Sequence, residues 1–277
     1  MAGRAGSEDE YEARKQRSKL YFRMRVTVLL LILVGVGLYA WRDIERRRSR
    51  NEWTETLEIA IVFVERQPVS ARAVEAAKVR TADLATVLAA EMARFRGGPP
   101  PFRFTAFGPV GHAAAPPEAG EPGLVSDARF AWNLWRYTSA VDDASGVSER
   151  SFDARIYVVV TPPTNAKVKQ IEGASQQGGK VGLVEVELDE TMVDFALFVA
   201  AHELFHTLGA SDKYDASGGV LMPDGLAEPE LAPIFPQRYV ELMARHRPVG
   251  PTQTKPPKSL DELRVGRATA REIGWAP

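Results

Sequence analysis

Apolar positions along the chain fall into three kinds of run. The first is continuous. Val26 to Trp41 (VTVLLLILVGVGLYAW) passes without a charge, which as a helix is roughly 24 Å, somewhat short of a ~30 Å hydrocarbon core. Tyr21 and Phe22 lengthen the apolar stretch. Arg23 and Arg25 can reach for headgroups along their aliphatic stems, and Tyr39 and Trp41 suit the opposite interface. A buried core helix is the plain alternative; with no polar side anywhere along the run and anchoring residues at both ends, the pattern predicts a membrane anchor over 26–41. The second kind is short and rich in Ile, Val and Phe: Leu57–Val64, Phe102–Phe107, Arg155–Val160 and Val181–Leu188. These predict strands. The third repeats at helical spacing. Val74, Ala77, Leu84, Leu88, Met92 and Phe95 follow a capping Ser70 and predict a helix to about Arg96, closed by Gly97-Gly98. Phe130, Trp132, Leu134 and Trp135 predict a helix over about 126–141 whose aromatic residues belong to the core. A third helix is predicted over about 191–208, apolar on all sides from Phe195 to Ala201.

Strand, helix, strand, helix, strand, strand, helix is an α/β order. Val110–Gly123, rich in Pro, Gly and Ala, reads as a surface loop, and Gly178-Gly179 as a tight turn before the fourth strand. Pro248–Lys258 reads as a Pro-rich linker, and Ser259–Glu262 carries the capping pattern of a final short helix. The expected division is a basic tail over 1–25, the anchor over 26–41, a connector over 42–56, a main domain over 57–247, and linker plus terminal helix over 248–277.

Composition narrows the chemistry. A net charge of −1 gives no field that would draw nucleic acid. The absence of cysteine excludes disulfides, thiolate metal sites, cysteine nucleophiles and a cysteine-based latency switch. The long charged leader, with no small-x-small site after the apolar run, favours an uncleaved anchor over a signal peptide. Basic residues nearly balance across it: Arg14, Lys15, Arg17, Lys19, Arg23 and Arg25 before, Arg42, Arg46, Arg47, Arg48 and Arg50 after. That leans slightly toward a cytoplasmic N-terminus and an extracytoplasmic main domain. The four histidines are His112, His202, His206 and His246, so any imidazole site must draw on these.

Two of them stand in His202-Glu203-Leu204-Phe205-His206. Residues i and i+4 share a helix face, so both imidazoles can reach one Zn²⁺. Glu203, three residues before His206, can flank the same point and take a proton from a water as it attacks a carbonyl, then pass it to the leaving amine. Short motifs arise by chance, but this one lies in a helix apolar on all sides. Two histidines and a glutamate buried there without partners would be costly, and a metal removes that cost. The plain alternative is hydrogen-bonded core histidines with Glu203 in a buried ion pair.

Gly209 suits the left-handed residue that ends a helix. The chain can then fold back and bring Asp212 to the metal. Asp215, Glu228 and His246 are the alternatives for a third ligand, and a surface turn is the plain reading of Asp212.

The run HELFHTLGASD resembles the extended HExxHxxGxx(H/D) motif of the metzincin clan of zinc peptidases, in its snapalysin-like form with aspartate last. The resemblance covers 155–246 in element order and 202–222 in motif. It implies a twisted mixed sheet, an active-site helix and a C-terminal helical part. It also implies Zn²⁺ on His202, His206 and Asp212, with Glu203 as general base. The clan places a methionine turn beneath the zinc, for which Gly218–Pro223 with Met222 stands in the expected place. A helix over about 236–246 would follow it. Val181–Leu188 would be an edge strand that pairs with substrate backbone. The clan's tyrosine just after that methionine has no counterpart, because Asp224 stands there; Tyr214 is a substitute or a packing residue.

The expected function is a membrane-anchored zinc endopeptidase with a protein or peptide substrate, membrane lipid as its other partner and no nucleic acid. The alternative is a catalytically silent zinc-binding interaction module on the same anchor. Hydrolysis of a non-peptide amide also fits the motif.

Overall fold

The computed structural model describes residues 5–277 apart from 119, 122, 165–171, 176–178 and 216. It separates into two units, 1–49 and 50–277. The first consists of helix α1 (Ala5–Arg50), which runs on into the first residue of the second unit. Within α1, Tyr21–Arg42 is long and apolar enough to cross a membrane. Its apolar side chains, among them Leu29, Leu31 and Leu33, are exposed to solvent, so they have no protein core to occupy.

The second unit is a mixed α/β fold. Strands β1 (Leu57–Glu65), β2 (Phe102–Gly111), β3 (Ala154–Thr161), β4 (Glu172–Ser175) and β5 (Val181–Glu187) form one sheet in the order β2-β1-β3-β5-β4. All neighbours are parallel except β4, which runs antiparallel to β5. Parallel sheets are covered on both faces, and the strands accordingly read as nearly unbroken apolar runs. Alternate side chains divide the core. Ile59, Ile61, Phe63, Ile156, Val158, Val184 and Val186 meet α2 (Ala71–Ala93) and α4 (Val193–Thr207). On the other face Ala60, Val62, Tyr157, Val159 and Leu183 meet the C-terminal half of α3 (Leu124–Ser145).

The four strands and three helices stand where the apolar pattern predicts them. Ser70 caps α2 by accepting from the Ala73 amide. Several expectations change. Strand β2 continues to Gly111, into the predicted loop. Strand β5 is an interior strand, because β4 takes the edge beyond it. Trp132 and Trp135 are exposed rather than core, at 58% and 54%. No helix forms over 236–246; that stretch holds a two-residue strand (Val240–Glu241) and a 3-10 turn (Leu242–Ala244). In place of a C-terminal helical part there is one six-residue helix, α5 (Arg267–Glu272).

The 248–277 segment, expected as linker and terminal helix, docks into the core of the second unit. Leu260, Leu263, Val265, Ala270, Ile273 and Trp275 are buried in the same cluster as α4. Leu263–Arg264 pairs in parallel with Val240–Glu241. Trp275 packs edge-on against Trp53 and Phe205, with ring centroids 5.6 and 5.5 Å away. The Trp53 indole donates to the Ile273 carbonyl at 2.7 Å. Phe205 lies inside the histidine motif, so this aromatic cluster seats the helix that carries it. Trp275→Ala is expected to cost about 3–5 kcal/mol of stability, read as a lower denaturant midpoint with an unchanged slope.

Candidate metal centre

Helix α4 is apolar enough to be buried all round, and its last two turns bring His202 and His206 onto one face. His202 is 1% exposed. The helix ends at Leu208 and Gly209 turns left-handed (φ 102°), as expected, which directs the following residues back over the histidines. His202 Nε2 and His206 Nε2 are 3.2 Å apart. Asp212 Oδ1 lies 3.3 Å from the first and 3.2 Å from the second. The His202–His206–Asp212 group can therefore bind a metal ion. The edges of the triangle fit the donor set, since tetrahedral bonds of 2.0–2.1 Å place ligand atoms ~3.3 Å apart.

The ring tautomers are fixed from behind. His202 Nδ1 faces the Leu242 carbonyl at 3.0 Å and His206 Nδ1 faces the Ala210 carbonyl at 2.9 Å. A carbonyl only accepts, so each Nδ1 carries a hydrogen, and each Nε2 faces the common point, offering a lone pair when the ring is neutral and donating to Asp212 when it is protonated. Burial opposes charge on His206, but the hydrogen bond to Asp212 and the nearby Glu203 carboxylate carry its pKa above the ordinary value. Burial would raise Asp212, yet its hydrogen bonds to both imidazoles outweigh this and hold it far below the carboxylate range.

Glu203 is 4% exposed, and its Oε2 is buried with no hydrogen-bond partner. Close approach of α4 to the sheet seats it. A Cβ on Gly182 of β5 would come within 3.1 Å of Glu203 Cβ and 2.8 Å of Ile156 Cδ1. The ion pair that the plain alternative assigns to Glu203 is absent among the described residues. The other residues weighed as a third ligand are engaged elsewhere. Asp215 accepts from the Ser217 and Gly219 amides, and Glu228 pairs with Arg238. His246, half-buried and held below its ordinary pKa by burial and by Arg245, is not part of the cluster.

Two features beneath the site were not anticipated. Met222 is 58% exposed, at the surface, whereas Met243 is fully buried in the turn that touches His202. The turn offers two carbonyls: Leu242 to His202 Nδ1, and Met243 to the Lys213 amide at 2.9 Å. It is anchored by Glu241, which is completely buried and accepts from the Ala244 and Gly266 amides and the Thr269 hydroxyl. Burial, only partly offset by those bonds, raises Glu241 from 4.5 to about 7. The second feature is Glu272 of α5. It accepts from the Ser211 amide, the Ser211 hydroxyl and the buried Lys213 ammonium, so it grips the residues on either side of Asp212. Tyr214 stacks on His202 with centroids 6.3 Å apart and interplanar angle 26°, and its hydroxyl accepts from Arg245.

Among solved structures, wild-type OgpA from Akkermansia muciniphila is similar at 13% identity and a TM-score of 0.35, the match covering 79% of this chain and 60% of that one. The chain thus spans about three-fifths of that relative's length. No protein-family model and no curated protein matches the sequence.

Glu272→Ala is expected to weaken binding of a divalent metal about 10–100-fold, and His246→Ala to leave it unchanged, measured by competition with a chromophoric chelator. Glu241 binds its proton more tightly in the folded chain than in the unfolded one. Its stabilising contribution is therefore complete below about pH 4.5 and falls as pH rises through about 7. The loss is on the order of 3 kcal/mol. Relative to Glu241→Gln, the unaltered protein should lose melting temperature across that window.

Proposed function

We propose that the chain is a membrane-anchored zinc peptidase of the metzincin type, with Zn²⁺ on His202, His206 and Asp212 and Glu203 as general base. The observation that carries this reading is the pairing of a preset three-atom ligand triangle with a buried carboxylate oxygen that has no partner. A carboxyl held that way beside His206 has no evident structural work. It is suited to accept a proton.

Zn²⁺ bound there would act as a Lewis acid, polarising a substrate carbonyl and making a water easier to deprotonate. Glu203 takes the proton of the attacking water on Oε2 and returns it to the departing amine as the C–N bond breaks. His202 and His206 keep their Nδ1 hydrogens on backbone carbonyls throughout, which holds both rings in one orientation. The Asp212 side chain is 41% exposed and that of His206 15%, so a substrate can approach on that side while His202 stays sealed in the core. Tyr214, stacked on His202, is the phenol available to donate to charge developing on the substrate oxygen, since Asp224 cannot. Substrate strand pairing at β5 is not part of the proposal, because β4 covers that strand. The Tyr21–Arg42 helix serves as the anchor, with the slight excess of basic residues before the uncharged run 26–41 keeping the N-terminus cytoplasmic and the second unit outside.

Zinc content and peptide hydrolysis should be measured on the full chain in nanodiscs beside Glu203→Ala. About one zinc per chain is expected in both, with kcat lower in the variant by roughly 10²–10⁴-fold. Zinc in both with turnover in neither, across a broad peptide library, would return the silent zinc-binding module. Absence of zinc from both would end the metal reading altogether.

A further inference from the structure

The N-terminal half of α3 projects an apolar surface with no protein covering it among the described residues. The buried residues of this helix are Tyr137, Thr138, Val141 and Asp142, all in its second half. Before them along the helix Leu124 is 91% exposed, Val125 74%, Trp132 58% and Trp135 54%. The two indole rings lie 5.0 Å apart. Leu124, Ala128, Ala131 and Trp135 recur at helical spacing, and so do Val125, Arg129, Trp132 and Arg136 on the adjoining stripe. Arg129 and Arg136 are themselves exposed.

A helical face with two tryptophans, two aliphatic residues at its tip and arginines alongside has the composition of a surface that lies in a lipid interface. Indoles prefer the headgroup level, aliphatic side chains enter the acyl boundary, and guanidinium groups pair with lipid phosphates. An exposed apolar patch on a monomer marks a contact of some kind, and this chain supplies its own reason for lipid. The span candidate ends at Arg42 and the folded unit begins at Arg50. A connector that short confines the unit to the neighbourhood of the bilayer at an effective concentration on the order of millimolar. An interfacial contact too weak to recruit a free protein is then well populated.

We propose that the N-terminal half of α3 inserts into the headgroup region of the bilayer, with Leu124, Val125, Trp132 and Trp135 as the inserted side chains. This rests on the reading of Tyr21–Arg42 as a membrane span. It assigns the α3 face a lipid partner and makes the second unit a body docked on the membrane as well as tethered to it.

The chain has no cysteine, which allows single spin labels to be placed freely. The full chain would be reconstituted into vesicles of phosphatidylcholine and phosphatidylglycerol, with labels at Val125→Cys, Ile32→Cys and Val79→Cys. Val79 is 75% exposed on α2, across the sheet from α3. Collisions with oxygen and with a water-soluble nickel chelate report depth. At Val125 a severalfold rise in the ratio of oxygen to nickel accessibility over Val79 is expected. That rise should be lost when Trp132→Gln and Trp135→Gln are added. A Val125 label as accessible to nickel as Val79, with Ile32 deep in the bilayer, would overturn the proposal and leave the anchor standing. Protection of Val125 from both reagents would overturn it in favour of a covering protein surface. An Ile32 label exposed to nickel would remove the anchor itself, and this proposal with it.

Discussion

Everything at the candidate metal centre depends on where two imidazole hydrogens go. With each Nδ1–H committed to a backbone carbonyl, both Nε2 lone pairs converge on one point, and Asp212 closes the triangle. Those carbonyls are not on the histidine helix. One belongs to Ala210, just past the helix end. The other belongs to Leu242, in a turn that arrives from much later in the chain. The same turn holds the Lys213 amide through Met243, so it fixes a histidine and the aspartate loop together. Beneath it lies a fully buried glutamate whose three acceptor bonds tie the turn to Gly266 and Thr269. A small set of backbone groups thereby does the orienting, and the ligand side chains have little freedom left to lose.

The sheet contributes by proximity. Helix α4 lies close enough to β5 that a side chain at position 182 would intrude on Glu203. The general-base candidate is held by the absence of a methyl group as much as by any bond. The aromatic cluster of Trp53, Phe102, Phe205 and Trp275 then sets the height of the helix over the sheet. Stability and site geometry share these contacts, since Phe205 stands between Glu203 and His206 in the sequence.

Much of this was legible before any coordinates. Strands β1, β3 and β5 and helices α2 and α4 have strong local periodicity, and the i,i+4 histidines need only one regular helix to meet. Asp212 could be placed because Gly209 marks the reversal. What local pattern could not supply was which surface each element meets. The α3 aromatics have core composition, and their exposure follows from the helix running past the edge of its packing surface. Met222 sits among Gly and Pro, the surroundings of a surface turn, whereas Met243 lies in the short apolar run Val240–Ala244, a signal of burial whose spacing also suits a helix. Segment 248–277 looked like a linker because its prolines precede its apolar residues; only long-range packing shows Leu260, Val265 and Trp275 to be core. Glu241 and Glu272 carried no signal beyond being single acidic residues, because their roles depend on partners distant in sequence.

The grip of Glu272 on Ser211 and Lys213 bears on the order in which the protein is made. Glu272 follows His202 by 70 residues, the difference of the two positions. A nascent chain that has already emerged with both histidines and Asp212 still lacks the helix that steadies the aspartate loop and the indole that seats the motif helix. Between the addition of His206 and that of Glu272, then, the two imidazoles are present without a steadied third arm. Until then the arrangement of His202, His206 and Asp212 is incomplete, and the candidate site matures only with the last residues of the chain.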